Sequence, residues 1–426
     1  MDKRAVITGM GVVSPNGIGI KEFLNSLVKS ISGIKKVEEL TESNFRCQIG
    51  GICKIDELLL KQRFPVLDIP IISRSTLLLV QATIEAIESA NLKIDTDLFL
   101  KLNPAIIIGS TIGPADLWGE KIIPLTNKSQ HVRLGSYAFE QIINSSPASM
   151  LSGILGTTNR VISSSLACAS STEAIAESYN RIKRGESKLI IAGGVEPYSK
   201  YYWATMDAMK IINPKHNDVP EKGSRPMSES ARGFVPAEAS GILIIEEYEH
   251  AIKRKAPILA EIVGENVNCG GQKNGGSMTA SNYRELKNCL SSAIKSANIV
   301  PSKIDFISGH LTGTKADPFE IKVWKEVLNC SAKDFPHINS TKSLIGHSIG
   351  ACGAVETIAS ILQMNNNFIH ASVNCEDIHP EIEKTISKDK IAFKRIDNIE
   401  INYIAKANFG FGDVNACIIL KKCNEK

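Results

Sequence analysis

Cys168 lies in "SSSLACASSTEAIAESYN", a run of small residues that passes at once into a helical pattern. A thiol on such a strand-to-helix turn is placed for nucleophilic work, because the free N–H groups and dipole of a helix N-terminus favour the thiolate. The small neighbours Ala167, Ala169, Ser170 and Ser171 leave room for something to approach. The competing assignment is a buried core cysteine. A cysteine nucleophile needs an acid–base partner from elsewhere in the chain. Two of the eight histidines stand in suitable surroundings. His310 ends the strand-like "IDFISGH" and opens the loop "LTGTKADP"; His347 sits in "NSTKSLIGHSIGACGAVE", five residues after Lys342. Taken singly, each is as compatible with a hydrogen-bonded core histidine. Taken with Cys168, they suggest a cysteine–histidine site. "KANFGFGDVNACIIL" adds Gly410 and Gly412 alternating with Phe409 and Phe411. Glycine permits close backbone approach, and a backbone N–H in such a turn can face an oxyanion; a tight turn between two core phenylalanines would look the same.

The elements that must position these residues alternate in type. "RAVITGMGVV", "AIIIGSTIG", "RVISSSLAC", "KLIIAGGVEP" and "SGILIIEEYEHA", which leads into "KAPILAEIVGENVN", read as strands, and "KEFLNSLVKSISGI", "TLLLVQATIEAIESANL" and residues 170–183 have helical spacing. A second series follows: helix "YRELKNCLSSAIKSANI", strand "IDFISGHL", helices "PFEIKVWKEVL" and "GACGAVETIASILQM", and a strand pair around "YIAKANFG" and "NACIIL". Such alternation predicts an α/β protein with largely buried sheets. The natural division falls near 250, at "EEYEHAIKRKAP", giving halves 1–250 with Cys168 and 251–426 with His310, Lys342, His347 and the glycine turn. No flexible linker separates them, so tight packing is expected.

Composition sets the outer limits. At 426 residues, 43% hydrophobic and 22% charged, the chain reads as an ordinary globular protein with a large core. A net charge of +4 does not argue for nucleic acid, but it allows a local basic patch for an acidic partner. The N-terminal run reads as strand and turn, not a signal peptide, and "IPIISRSTLLLV" is too short to span a bilayer. None of the ten cysteines forms a CxxC pair and no histidine cluster has zinc-ligand spacing, so free thiols, a cytoplasmic location and no metal are expected. Nor is there a dinucleotide or P-loop glycine motif.

Together these segments resemble the β-ketoacyl synthase family, the condensing enzymes of the thiolase superfamily. "AVITGMGVVSPNG" is similar to its opening strand and turn, and "SRPMSESARGFVPAEASGILIIEEYEHAIKRKAPILAEIVG" to its long middle signature. "SGHLTGTKADPFE", "NSTKSLIGHSIGACGAVE" and "NFGFGDVNA" follow in the family's order. The resemblance implies a five-layer αβαβα sandwich of two similar βαβαβαββ halves. It also implies a dimer with the strand before the nucleophile near the twofold axis. By the same resemblance Cys168 would carry the acyl chain as a thioester, and His310 and His347 would complete a Cys–His–His site that decarboxylates a malonyl extender. Lys342 would tune the histidines, with Glu356 beside it. Thr312 and Thr314 would hold the 4'-phosphopantetheine arm of an acyl carrier protein. Phe409 would gate the acyl pocket, and the backbone N–H groups of Cys168 and Phe409 would form the oxyanion hole. No bound cofactor is implied.

Several positions depart from the family's common pattern. "HLTGTK" puts Leu311 and Lys315 where "HGTGTP" is common, with Leu311 expected to narrow the arm site; "CASSTEA" replaces "CATG", and Asp413 and Val414 replace Gly and Thr. These suggest a specialised ketosynthase of type II polyketide or polyene synthesis, alone or paired with a chain-length factor. The alternatives are a housekeeping fatty-acid elongation enzyme and a non-catalytic chain-length-factor-like subunit; Cys168, His310, Lys342 and His347 together speak against the latter. A thiolase would need a second active cysteine near the last glycine turn, where Cys417 lies in a strand-like run. Chalcone-type enzymes would need asparagine at the second histidine.

Overall fold

The computed structural model describes residues 2–423. Ten strands run in order across its main sheet, with the two-residue strand Gly17–Ile18 paired to the end of the first as an eleventh: β1 (Ala5–Ser14), β2 (Ala105–Gly109), β3 (Val161–Ser164), β4 (Leu189–Glu196), β5 (Ala239–Glu247), β6 (Ala260–Cys269), β7 (Phe306–Ser308), β8 (His337–Asn339), β9 (Tyr403–Gly410) and β10 (Val414–Lys421). Six helices matter for the site: α1 (Arg74–Ser89), α2 (Ser146–Leu155), α3 (Ser170–Lys183), α4 (Tyr283–Ser296), α5 (Asp317–Leu328) and α6 (Cys352–Asn365). The strand order is β8-β7-β9-β10-β6-β1-β5-β4-β2-β3.

That order repeats. In each five-strand lobe the third strand in the chain is at the edge, followed by the second, fourth, fifth and first. The second, third and fourth strands are parallel; the fifth and first join antiparallel. The lobes meet where β1 pairs with β6, through Ala5–Ile262, Val6–Glu261 and Ile7–Ala260. Each lobe therefore reads βαβαβαββ. Both sheets pack on the central helices α3 and α6, while α1 and α2 cover one outer face and α4 and α5 the other, which makes five layers.

Side-chain alternation builds this layering. Along β2, Ile107 faces the central core while Ile106 and Ile108 face the α1 side. Both faces are dry, so the strands read as continuous apolar runs. Two elements were not legible in the sequence: β8, only three residues long, and the weakly patterned α2. The helix expected over residues 170–183 forms with those bounds.

Candidate active site

The two central helices begin on matching turns. β3 leads to α3 through Ala167 at φ 47°, and β8 leads to α6 through Ile349 at φ 41°. One 3-10 turn follows each, Ala167–Ala169 and Ile349–Ala351. Left-handed backbone is uncommon for alanine and strained for a β-branched residue, and it is tolerated where packing fixes a functional turn. The first turn is pinned by hydrogen bonds: Ser170 Oγ donates to Ala167 O (2.6 Å), and Leu166 N donates to Ser170 Oγ (2.8 Å). Cys168 sits on it, half-buried.

Ser170, Ser171 and Thr172 are wholly buried. Ala354 N donates to Ser171 Oγ (3.0 Å), and a Cβ on Gly353 would meet Thr172 Oγ1 at 2.1 Å. The small residues after Cys168 therefore bring α3 and α6 together; they do not open room for a substrate, as the sequence had suggested.

His347 reaches Cys168 from the second lobe, with Nε2 3.1 Å from Sγ. Its backbone N–H donates to Val235 O (2.7 Å), and Phe234 packs edge-on against its ring. His310 stands edge-on to His347 with ring centroids 5.4 Å apart, and Phe409 lies against His310 at 5.7 Å. The Cys168 thiol and one nitrogen from each imidazole fall within 4.8 Å of one another. Residues 142 and 179 positions away in sequence from Cys168 are thus brought to a single point.

Behind the imidazoles lies a buried ion cluster. Glu356 pairs through Oε1 with Lys342 and through Oε2 with Lys406, the latter at 2.8 Å. All three side chains are at most 1% exposed. Despite the cost of burial, the two ammonium groups hold Glu356 below the usual carboxylate range. Burial pushes both His310 and His347 well below the usual imidazole range, and the positive charges of Lys342 and Lys406 add to this. Both rings are therefore neutral near pH 7. The same charges oppose a dication at the three-ligand cluster of Cys168, His310 and His347.

Burial also pushes the Cys168 thiol up to about 12, against the pull of Lys342. The expectation of a helix-favoured thiolate at rest is corrected here: desolvation of Sγ, the largest influence on it, favours the neutral thiol. Cys168 rests as a thiol, and His347 is the group within reach of its proton.

The His310 loop is held by two acids that sequence reasoning left without a role. Glu320 accepts from the N–H groups of His310 (2.7 Å) and Leu311 (2.8 Å). Asp317 accepts from Thr312 (2.9 Å), Gly313 (3.0 Å) and Met227 (2.8 Å). Thr312 and Thr314 share a 3.0 Å hydroxyl contact, and Lys315 beside them is exposed. Leu311 does not narrow this loop's outer side: its side chain is fully buried in the outer core of the second lobe.

The glycine turn approaches the nucleophile closely. A Cβ on Gly410 would lie 2.7 Å from Leu166 O and 3.1 Å from Cys168 N, so only glycine fits. Asp413, at φ 62° and buried, accepts from Asn282 N (2.7 Å) and Gln272 N (3.0 Å), tying the turn to the 270–282 loop. Cys417 is buried within β10, as its strand-like surroundings indicated.

Glu196, Lys406 and Asn408 also escaped the sequence reading. Glu196 accepts from Thr111, Ile112 and Gly350 N–H groups. The available signal was a charged or amide residue inside an otherwise aliphatic strand, "IIAGGVE" or "YIAKANF".

The chain is similar to known proteins along almost all of its length. The family model for the β-ketoacyl synthase N-terminal domain matches residues 2–251, and that for the C-terminal domain matches residues 259–376. The chain is 31% identical to 3-oxoacyl-[acyl-carrier-protein] synthase 1 of Haemophilus influenzae, over 99% of this chain and 100% of that protein. It is also 31% identical to the Escherichia coli K12 protein of the same name, with the same coverage. Among solved structures it resembles AntDE, a type II polyketide ketosynthase in complex with its acyl-carrier protein AntF and bound to the hexaketide (26% identity, TM-score 0.85, all of both chains). A β-ketoacyl synthase from Burkholderia phymatum shares the fold at 24% identity and TM-score 0.89, covering 99% of this chain and 100% of that one.

Proposed function

Because the chain belongs to the β-ketoacyl synthase family, we propose that it is a condensing acyltransferase working through Cys168, His310 and His347 on acyl groups delivered by an acyl carrier protein. The observation that carries this reading is His347 Nε2 at 3.1 Å from Cys168 Sγ, with His310 closing the same cluster.

In the first half-reaction Cys168 Sγ attacks the carrier thioester carbonyl. Its proton passes to His347 and then to the departing pantetheine thiolate, leaving the acyl chain on sulfur. Thiolate suits both steps, as a soft nucleophile and a competent leaving group. In the second half-reaction the C–CO2 bond of a malonyl thioester breaks, and its electron pair stays on carbon as an enolate. An imidazole N–H beside the enolate oxygen stabilises it in a site with little water. The enolate carbon then attacks the Cys168 thioester, the C–S bond breaks, and the departing Cys168 thiolate is protonated by one proton taken up from solvent, the proton that net decarboxylative condensation consumes. The oxyanion formed in each half would face the backbone N–H groups of Cys168 and Phe409. Lys342 with Glu356 would tune the histidines, Thr312 and Thr314 would hold the pantetheine arm, Phe409 would gate the acyl pocket, and exposed Lys315 stands where an acidic carrier could rest.

The departures at Lys315 and Asp413 favour type II polyketide or polyene assembly, and the resemblance to AntDE supports it. The relatives named 3-oxoacyl synthase 1 favour a second reading, housekeeping fatty-acid elongation. A dimer fits the uncovered outer edge of β3, since the opposite edge strand β8 is bridged by Ile391. The partner would be a second copy or a chain-length factor, in the cytoplasm. No helix among the described residues is long and apolar enough to cross a membrane.

Intact mass spectrometry after incubation with acyl carrier protein tests the reading. Wild type is expected to gain the acyl mass and Cys168→Ala to gain none; acylation of the variant would overturn it. Protein purified from its native source separates the pathways, since a polyketide or polyene chain and a saturated chain differ in mass.

A further inference from the structure

Lys406 and Asn408 are buried, polar and unused by the mechanism above. They alternate along β9 with Ala405, Ala407 and Phe409, which pack into the outer core of the second lobe. The opposite face therefore points Lys406 and Asn408 at the central layer. Lys406 is 0% exposed and reaches Glu356 Oε2 at 2.8 Å. Asn408 is equally buried, and its amide orientation is fixed by the ionised Glu356, whose Oε2 only accepts and therefore takes Nδ2, leaving Oδ1 to accept from Thr172 Oγ1 (2.7 Å). Its Nδ2 therefore faces three acceptors at 3.2 Å: Glu356 Oε2, Cys352 Sγ and His310 Nδ1.

An amide nitrogen only donates; with one N–H on Glu356, the other is free for His310, and in that hydrogen bond Nδ1 is the acceptor. The ring proton of neutral His310 then sits on Nε2. We infer that Lys406 and Asn408 are positioning residues for His310: Asn408 selects the Nε2–H tautomer, and Lys406, as the second ammonium on Glu356, leaves the cluster with an excess positive charge that keeps this imidazole neutral. The role in catalysis rests on the proposed condensation; the tautomer and the charge state do not.

The groups facing His310 support the charge argument. Lys342 and His347 approach from the loop before α6, Glu356 from α6, Lys406 from β9, Cys168 from the first lobe, and Glu320 of α5 beneath its backbone. Burial lowers His310, and Lys342, His347 and Lys406 lower it further. With one carboxylate between two lysines, removing Lys406 cancels the excess charge. Lys406 itself is pulled below the usual lysine range by burial, although Glu356 opposes the shift.

His347 differs. Its Nε2 lies 3.1 Å from Cys168 Sγ, so to take the thiol proton there the neutral ring carries its own proton on Nδ1. The two rings thus face the site in different protonation patterns, His347 with a bare Nε2 toward sulfur and His310 with Nε2–H.

The test is 15N NMR of histidine-labelled protein, with His310 assigned by substitution, alongside the pH profile of malonyl decarboxylation. Wild-type His310 is expected to be the Nε2–H tautomer; a proton on Nδ1 overturns the proposal without any variant. Lys406→Met is expected to raise the His310 titration and the acid limb of decarboxylation together by about one pH unit, because a like charge has gone. Lys406→Arg should keep both at wild-type values. Asn408→Leu should lose the single tautomer and slow decarboxylation about tenfold while sparing Cys168 acylation. Unchanged His310 titration in Lys406→Met overturns the charge role. If wild type shows the expected tautomer but no decarboxylation, the proposed reaction fails and the positioning stands.

Discussion

A thiol held up to about 12 is a poor nucleophile at pH 7, so the reactivity of Cys168 depends on its neighbour. Iodoacetamide alkylation of Cys168, followed by mass spectrometry, should rise with pH well beyond 9. His347→Ala should slow it at pH 7 by roughly tenfold, the scale of a lost general base. A plateau at neutral pH would instead mean a thiolate at rest. At the same scale lies what the sequence could and could not disclose. The grouping of Cys168, His310 and His347 was legible because Cys168 and His310 follow strand-like runs and His347 sits amid small residues. Lys406 and Asn408 were not: in "YIAKANFG" the alternation of apolar and polar residues matches a strand with one wet face. The wet face does not exist, because a second layer covers it, and a single sequence does not show layers.

The elements that hold the site are short turns fixed by buried carboxylates. Glu320 holds the His310 loop, and burial raises its carboxyl to about 7, above the ordinary 4.5. The folded state thus binds this proton more tightly than the unfolded chain. Its contribution is fully present below about 4.5 and is lost as pH rises through about 7. Denaturant titrations of wild type and Glu320→Gln should therefore diverge between pH 5 and 8, with wild type losing up to about 3 kcal/mol relative to the variant. Parallel curves would show that Glu320 does not titrate there. Gly410 is the other constraint. Gly410→Ala drives a methyl group into Leu166 O and Cys168 N. It should destabilise the protein by about 1–3 kcal/mol and sharply reduce acyl loading; a well-folded, fully loading variant would disprove the close approach.

For the whole molecule, the free edge at β3 matters most. β3 is half-exposed, pairs only with β2, and leads directly into the Cys168 turn. An uncovered strand edge invites pairing with another chain. If β3 pairs across a dimer, Ile162→Lys should shift the protein toward monomer in light scattering and lower condensation at the same time. A dimer unaffected by that charge would place the interface elsewhere. The repetition of one topology in both lobes was legible as two alternating series of elements, but the five-layer order was not, since periodicity does not tell which helices lie between the sheets.

The matched turns before α3 and α6 also limit stoichiometry. The residue after Ile349 corresponds by position to Cys168, and it is Gly350. A Cβ there would lie 2.5 Å from Glu196 Oε2 and 2.7 Å from Thr111 N and Oγ1. The packing that seats one thiol at the seam leaves no volume for its counterpart. Each chain therefore places one thiol at this seam, and under the proposed reaction acyl occupancy counted by mass would report directly on how many protomers are engaged.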